Sequence, residues 1–181
     1  MITQAQIQQF QETGFLIIAQ LLTPEQVTRA NAALDRLFRG EISADRRPLA
    51  ARKPVRIYHD DDGVTRHLVH GRLLDEELWQ VMTDPRLAEM AAALLQTPSV
   101  SLTEDQLFEK PPRSGYLAMH QDFPYQPFAS NDHLVTRWLA LTDVTLGMAP
   151  MEYVAGSHHW PTADWASHFA DGNRDDYMEI V

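Results

Sequence analysis

The sequence predicts an α+β domain, with helices gathered in its first half and strands in its second. Two observations carry that prediction. Up to about residue 98, apolar residues recur at three- and four-residue spacing behind recognisable helix caps. From Val100 onward, short, loosely alternating runs separated by Pro- and Gly-containing turns take over. The 181 residues, 44% hydrophobic and 22% charged, suit a single domain with a real core. Residues 1–181 are therefore read as one unit, mainly helical over 1–98 and strand-bearing over 99–181.

Thr3 is the expected N-cap of a short amphipathic helix that uses Ile7 and Phe10 and runs to about Glu12. Gly14 stands where a left-handed residue ends such a helix, and Phe15-Leu16-Ile17-Ile18 reads as a brief buried strand. Thr23-Pro24-Glu25-Gln26 opens the second helix, with Thr as cap, Pro at the first helical position and Gln closing a capping box. That helix runs through Val27, Ala30, Ala33, Leu34 and Leu37 and stops at Gly40.

From Glu41 to Gly71 the periodicity disappears. Arg46, Arg47, Arg52, Lys53 and Arg56 cluster there, ahead of an Asp60-Asp61-Asp62-Gly63 turn. Two readings stand: a loop whose cations meet an acidic substrate, and a solvated connection, which is the expectation for a charge run. His67 and His70 are not read as ligands. Leu73 to Val81 and Pro85 to Leu95 read as two more helices. Val100 to Lys110, Tyr116 to Gln121, His133 to Val144 and Met151 to Val154 read as strands. Ala163 to Phe169 is then a helical turn, and Asp171 to Asp176 an acidic loop.

Composition narrows the function. With no cysteines, a disulfide scaffold, a zinc–thiolate site and a cysteine nucleophile are all excluded, and a reducing cytoplasm is the expected setting. A net charge of −10 argues against nucleic acid as a partner, since a phosphate-backbone binder needs a basic face. No apolar run approaches the ~20 residues that span a bilayer, and the opening Met1-Ile2-Thr3-Gln4 lacks the basic and apolar regions of a signal peptide. A small-molecule substrate is the expected partner.

Chemistry concentrates in Met119-His120-Gln121-Asp122-Phe123-Pro124-Tyr125. If Tyr116 to Gln121 is a strand, His120 and Asp122 point the same way. A neutral imidazole nitrogen and a carboxylate oxygen side by side make two of the three protein ligands of a facial 2-His-1-carboxylate iron site, with positions left open. The competing reading is an exposed turn pair, because His-x-Asp is common by chance. No Gly-x-Ser-x-Gly elbow, phosphate-binding glycine loop or His-Glu-x-x-His supports another enzyme class.

Five segments then fall together in order: the helix–Gly14–strand–Thr23-Pro24-Glu25 opening, Gln106-Leu107-Phe108-Glu109-Lys110-Pro111-Pro112, His120-Gln121-Asp122 with Tyr125, Trp138-Leu139-Ala140-Leu141-Thr142-Asp143, and Gly156-Ser157-His158. Over nearly its whole length the chain resembles the phytanoyl-CoA dioxygenase family of non-haem Fe(II), 2-oxoglutarate-dependent oxygenases. The resemblance implies a double-stranded β-helix, a cupin-like jelly roll, behind N-terminal helices. It implies Fe(II) held by His120 and Asp122, with 2-oxoglutarate as co-substrate and O2 as oxidant. It sets Gln106 and Trp138 against 2-oxoglutarate; a strand-surface glutamine and a core tryptophan are the alternatives. Gly-Ser-His is implied to be a hydrogen-bonded structural turn, so His158 is not read as a ligand.

The sequence departs from that family in one respect. The family's distal histidine, and the arginine about ten residues later that pairs with the far carboxylate of 2-oxoglutarate, have no counterpart here. His168 is followed only by Arg174. The expectation is a C-terminally incomplete jelly roll in a fragment of a longer protein. An iron-free binding relative, or a site completed by His158, His159 or His168, are the alternatives.

Overall fold

A computed structural model describes residues 2–52, 57, 65–114, 119–126 and 129–162. Among these residues, four helices form where capping chemistry calls for them. Helix α1 (Gln4–Thr13) carries a complete Thr3/Gln6 capping box, and α2 (Pro24–Phe38) a Thr23/Gln26 box with Pro at its first turn. Asp75 caps α3 (Glu76–Met82), and Asp84, just ahead of Pro85, caps α4 (Pro85–Leu94). The expected start of the third helix at Leu73 is corrected by three residues. Gly71–Leu73 is a separate 3-10 turn, and the first turn of α3 is acidic where the helix dipole favours it.

Among the described residues the sheet has two strands, β1 (Arg66–Val69) and β2 (Gln106–Glu109), paired antiparallel. The register sets Leu68 opposite Leu107 and His67 opposite Phe108, whose rings stack at 4.8 Å. Alternation therefore turns the leucine pair to the core and the His–Phe pair to the opposite face. Ala30, Ala33, Leu37 and Phe38 of α2 pack with Leu68, Leu74, Leu78 and Leu107. The three- and four-residue spacing of the α2 group is what puts it on one face.

Buried polar links tie this core together. Asp75, fully buried, accepts from Arg36 at 2.8 Å, from the Ser43 hydroxyl at 2.8 Å and from the Glu77 amide at 2.9 Å. It thereby joins α2, the following connection and α3. Asp105, also buried, takes the Arg72 guanidinium and the Arg72 amide, fixing the turn before α3 to the start of β2. The connection after α2 is pinned as well. Arg46 meets Glu76 and lies 4.8 Å over the Trp79 ring, and Arg47 and Arg52 meet Asp45. Those arginines thus have partners within their own chain. Lys53, Arg56 and the Asp60–Gly63 turn lie outside the described residues.

Several expected strands are corrected. Phe15 to Ile18, His133 to Val144 and Met151 to Val154 form no ladder among the described residues, and Ile17 is 81% exposed rather than buried. Local alternation predicts extended backbone, but a strand exists only where a neighbouring chain answers its N–H and C=O groups. The reverse happened at β1, which lies inside the stretch read as irregular. Its four residues are too few to show a period, and its register comes from Gln106–Glu109.

The Gly-Ser-His turn docks on the end of α1. Gly14 adopts φ +84, and a Cβ there would sit 2.4 Å from His158 Nδ1. The Gly156 amide donates to Thr13 O at 2.9 Å, and His158 Nε2 lies 3.0 Å from Gln11 O. Next to this joint, Phe15 stacks on Tyr153 at 5.5 Å.

Candidate metal centre

The Asp122 backbone accepts from the Tyr125 amide at 3.0 Å, closing the 3-10 turn Phe123–Tyr125. Pro124 inside that turn presets its backbone. The turn folds Tyr125 back so that its ring meets His120 edge-on, centroids 6.1 Å apart and planes at 89°. His120 Nε2 then lies 3.2 Å from Asp122 Oδ1, with the two side chains 22% and 34% exposed. Residues 116–118 of the expected strand lie outside the described residues, and Met119 to Gln121 make no ladder.

Both oxygens of Asp122 are engaged. Oδ1 faces His120, and Oδ2 accepts from the Thr136 hydroxyl. The contact with His120 lowers the Asp122 carboxyl from its ordinary value; burial opposes that, and Thr136 adds to it. The Tyr153 phenol moves the other way, raised first by partial burial and then by the Asp122 charge. Gln121 Nε2 donates to Pro161 O at 3.3 Å, tying the segment to the stretch after the Gly-Ser-His turn.

Thr136 is held from both sides of its own stretch. His133 Nε2 lies 2.9 Å from Leu95 O at the end of α4, and Asn31 of α2 donates to Leu141 O at 2.7 Å. Leu141 also packs on the core. The helical layer thus sets where the carboxylate's partner stands.

The donor set fits a first-row divalent metal. Two donors at right angles on one ion, with bonds of about 2.1 Å, stand about 3.0 Å apart. The 3.2 Å between an imidazole nitrogen and a carboxylate oxygen is close to that separation. Among the described residues, no group of three or more His, Asp, Glu or Cys is gathered to hold an ion. His158 spends Nε2 on Gln11 O, and His159 lies against it at 3.7 Å. His168 lies outside the described residues, as does Arg174.

The other two expected site residues are not joined to this pair. Gln106 is exposed on β2 and donates to Glu104, and Trp138 is 45% exposed. Among the described residues, no hydrogen bond or ring contact links either to His120 or Asp122. The residue that sequence reading missed is Thr136. Its only sequence signal is its place two residues before Trp138, on the same face if that stretch is extended.

Comparison with known proteins bears on this geometry. The family model described as Phytanoyl-CoA dioxygenase (PhyH) matches residues 10–180. The bovine protein named Phytanoyl-CoA dioxygenase, peroxisomal, is 24% identical over 159 residues, 84% of this chain and 46% of that protein. Its rat and human counterparts are also 24% identical, covering 84% and 82% of this chain and 46% and 45% of their own lengths. The chain therefore spans less than half the length of these curated relatives. No solved structure matches it.

Proposed function

This chain belongs to the phytanoyl-CoA dioxygenase family, and from that premise we propose that it is the metal-binding part of an Fe(II)- and 2-oxoglutarate-dependent dioxygenase. In this reading the enzyme hydroxylates a small organic substrate. The observation that carries it is the His120 Nε2–Asp122 Oδ1 pair, two donors of the right kind at a separation suited to one ion. Bound Fe(II) would supply the oxidation, with O2 and 2-oxoglutarate giving hydroxylated product, succinate and CO2.

The chain's own residues prepare that site. His120, and after it Thr136, favour the charged form of Asp122 against the burial that opposes it. Tyr125 bounds one side of the imidazole ring. Gln106 and Trp138 are proposed as 2-oxoglutarate-facing residues on the family resemblance. The jelly roll and the single-domain reading of 1–181 belong to the same proposal.

Among the described residues no helix is long and apolar enough to cross a membrane. The cytoplasmic setting is proposed from composition alone; the mammalian relatives are named peroxisomal.

A second reading, a metal-free binding relative, draws on one observation: His120 and Asp122 also satisfy each other as an ion pair. Variants separate the two. His120→Ala and Asp122→Ala are each expected to abolish Fe(II) binding and succinate formation from 2-oxoglutarate in the full-length protein. Succinate formation at wild-type rate in either variant would overturn the assignment.

A further inference from the structure

We propose that Thr136 is a positioning residue that makes Asp122 a one-oxygen donor to the metal. The proposal rests on the metal reading of His120 and Asp122 and adds what aims the carboxylate. A carboxylate rotates broadly about its last bond, so either oxygen, or both together, could meet an ion. Here the two oxygens have different partners. Oδ2 accepts from the Thr136 hydroxyl, and Oδ1 faces His120 Nε2 at 3.2 Å. With Oδ2 engaged, Oδ1 is the oxygen left beside His120 Nε2.

The consequence is a coordination count. A carboxylate binding through both oxygens would use two positions on a six-coordinate ion, whereas one oxygen leaves the second position for a co-substrate. Thr suits this task because branching at Cβ confines its hydroxyl to few rotamers. Its backbone is set by the links that hold this stretch to α4 and α2. A hydroxyl that orients a ligating carboxylate belongs to the outer shell whose loss weakens metal binding without removing a ligand.

The test is Mn(II) affinity, read from the electron paramagnetic resonance signal of free Mn(II). It compares the wild-type protein with Thr136→Val and Thr136→Ser. Valine keeps the shape and removes the hydroxyl; Thr136 is exposed, so the melting temperature should hold. Thr136→Val is expected to raise the Kd roughly 10–100-fold, and Thr136→Ser to recover most of the affinity. Equal affinity of wild type and Thr136→Val overturns the proposal while leaving the metal reading intact. A serine variant as weak as the valine one also overturns it, since the methyl group and not the hydroxyl would then matter. No Mn(II) binding by wild type removes the metal reading and this inference with it.

Discussion

The core formed by α2, β1, α3 and β2 and the site region from Met119 to Trp160 are held by different means. The core closes on itself: eight buried apolar residues surround it, and Asp75 and Asp105 tie its elements with buried, multiply bonded carboxylates. The site region has few regular elements among the described residues and is held by scattered links. They include Thr136 to Asp122, Gln121 to Pro161 O, His158 to Gln11 O, Gly156 to Thr13 O, His133 to Leu95 O and Asn31 to Leu141 O. Stability therefore lives in the first region and the proposed chemistry in the second. A change at the centre of the core should read first in stability, and a change at the site first in metal binding.

The largest way to break that division is in the core. Leu37 is fully buried, and Leu37→Ala should cost about 2–5 kcal/mol. Denaturant melts check this; a loss well under 1 kcal/mol would mean the α2 face is not the centre of the core.

Asp75 gives the next effect, and its sign depends on pH. Burial pushes its carboxyl up, but hydrogen bonds from Arg36, Ser43 and the Glu77 amide outweigh that, so the folded value is lowered. A lowered folded value gives stability that is present above the unfolded carboxylate value. That stability is lost as pH falls through the folded one. Asp75→Asn should lower stability by about 2–3 kcal/mol near neutrality, discounted because Arg36 is partly exposed. The deficit should shrink progressively in acid below the ordinary carboxylate range. A deficit constant down to acid pH would show that the carboxylate's charge is not what the core uses.

The smallest effect sits at the joint between the regions. Gly14→Ala forces a left-handed backbone on a residue with a Cβ and drives that Cβ into His158. It should cost about 1–2 kcal/mol. Adding His158→Ala should return part of that cost, leaving the backbone share. A full loss in both variants would mean that the Gly-Ser-His turn does not rest on α1.

How much of this was legible follows the same division. The helices were readable because their signals are local: the Thr3 cap, Thr23-Pro24 with Gln26, Pro85, and the spacing of Ala30, Ala33 and Leu37. His120 and Asp122 could be paired on paper because a single residue, Gln121, separates them. Thr136 could not, since its bond to Asp122 depends on how α2 and α4 hold a stretch fourteen residues further on. Apart from β2, which lies inside the expected Val100 to Lys110 strand, strands failed for a related reason. Extended runs such as His133 to Val144 show the pattern but not the partner, and β1 has the partner but not the pattern.

The most direct measurement is an anaerobic titration of the protein with Fe(II) and 2-oxoglutarate, following the weak visible metal-to-ligand charge-transfer band, beside His120→Ala. The account predicts a band in the wild-type protein that needs both additions and is absent from the variant. A band of equal strength in His120→Ala, or none in the full-length wild type, would contradict it.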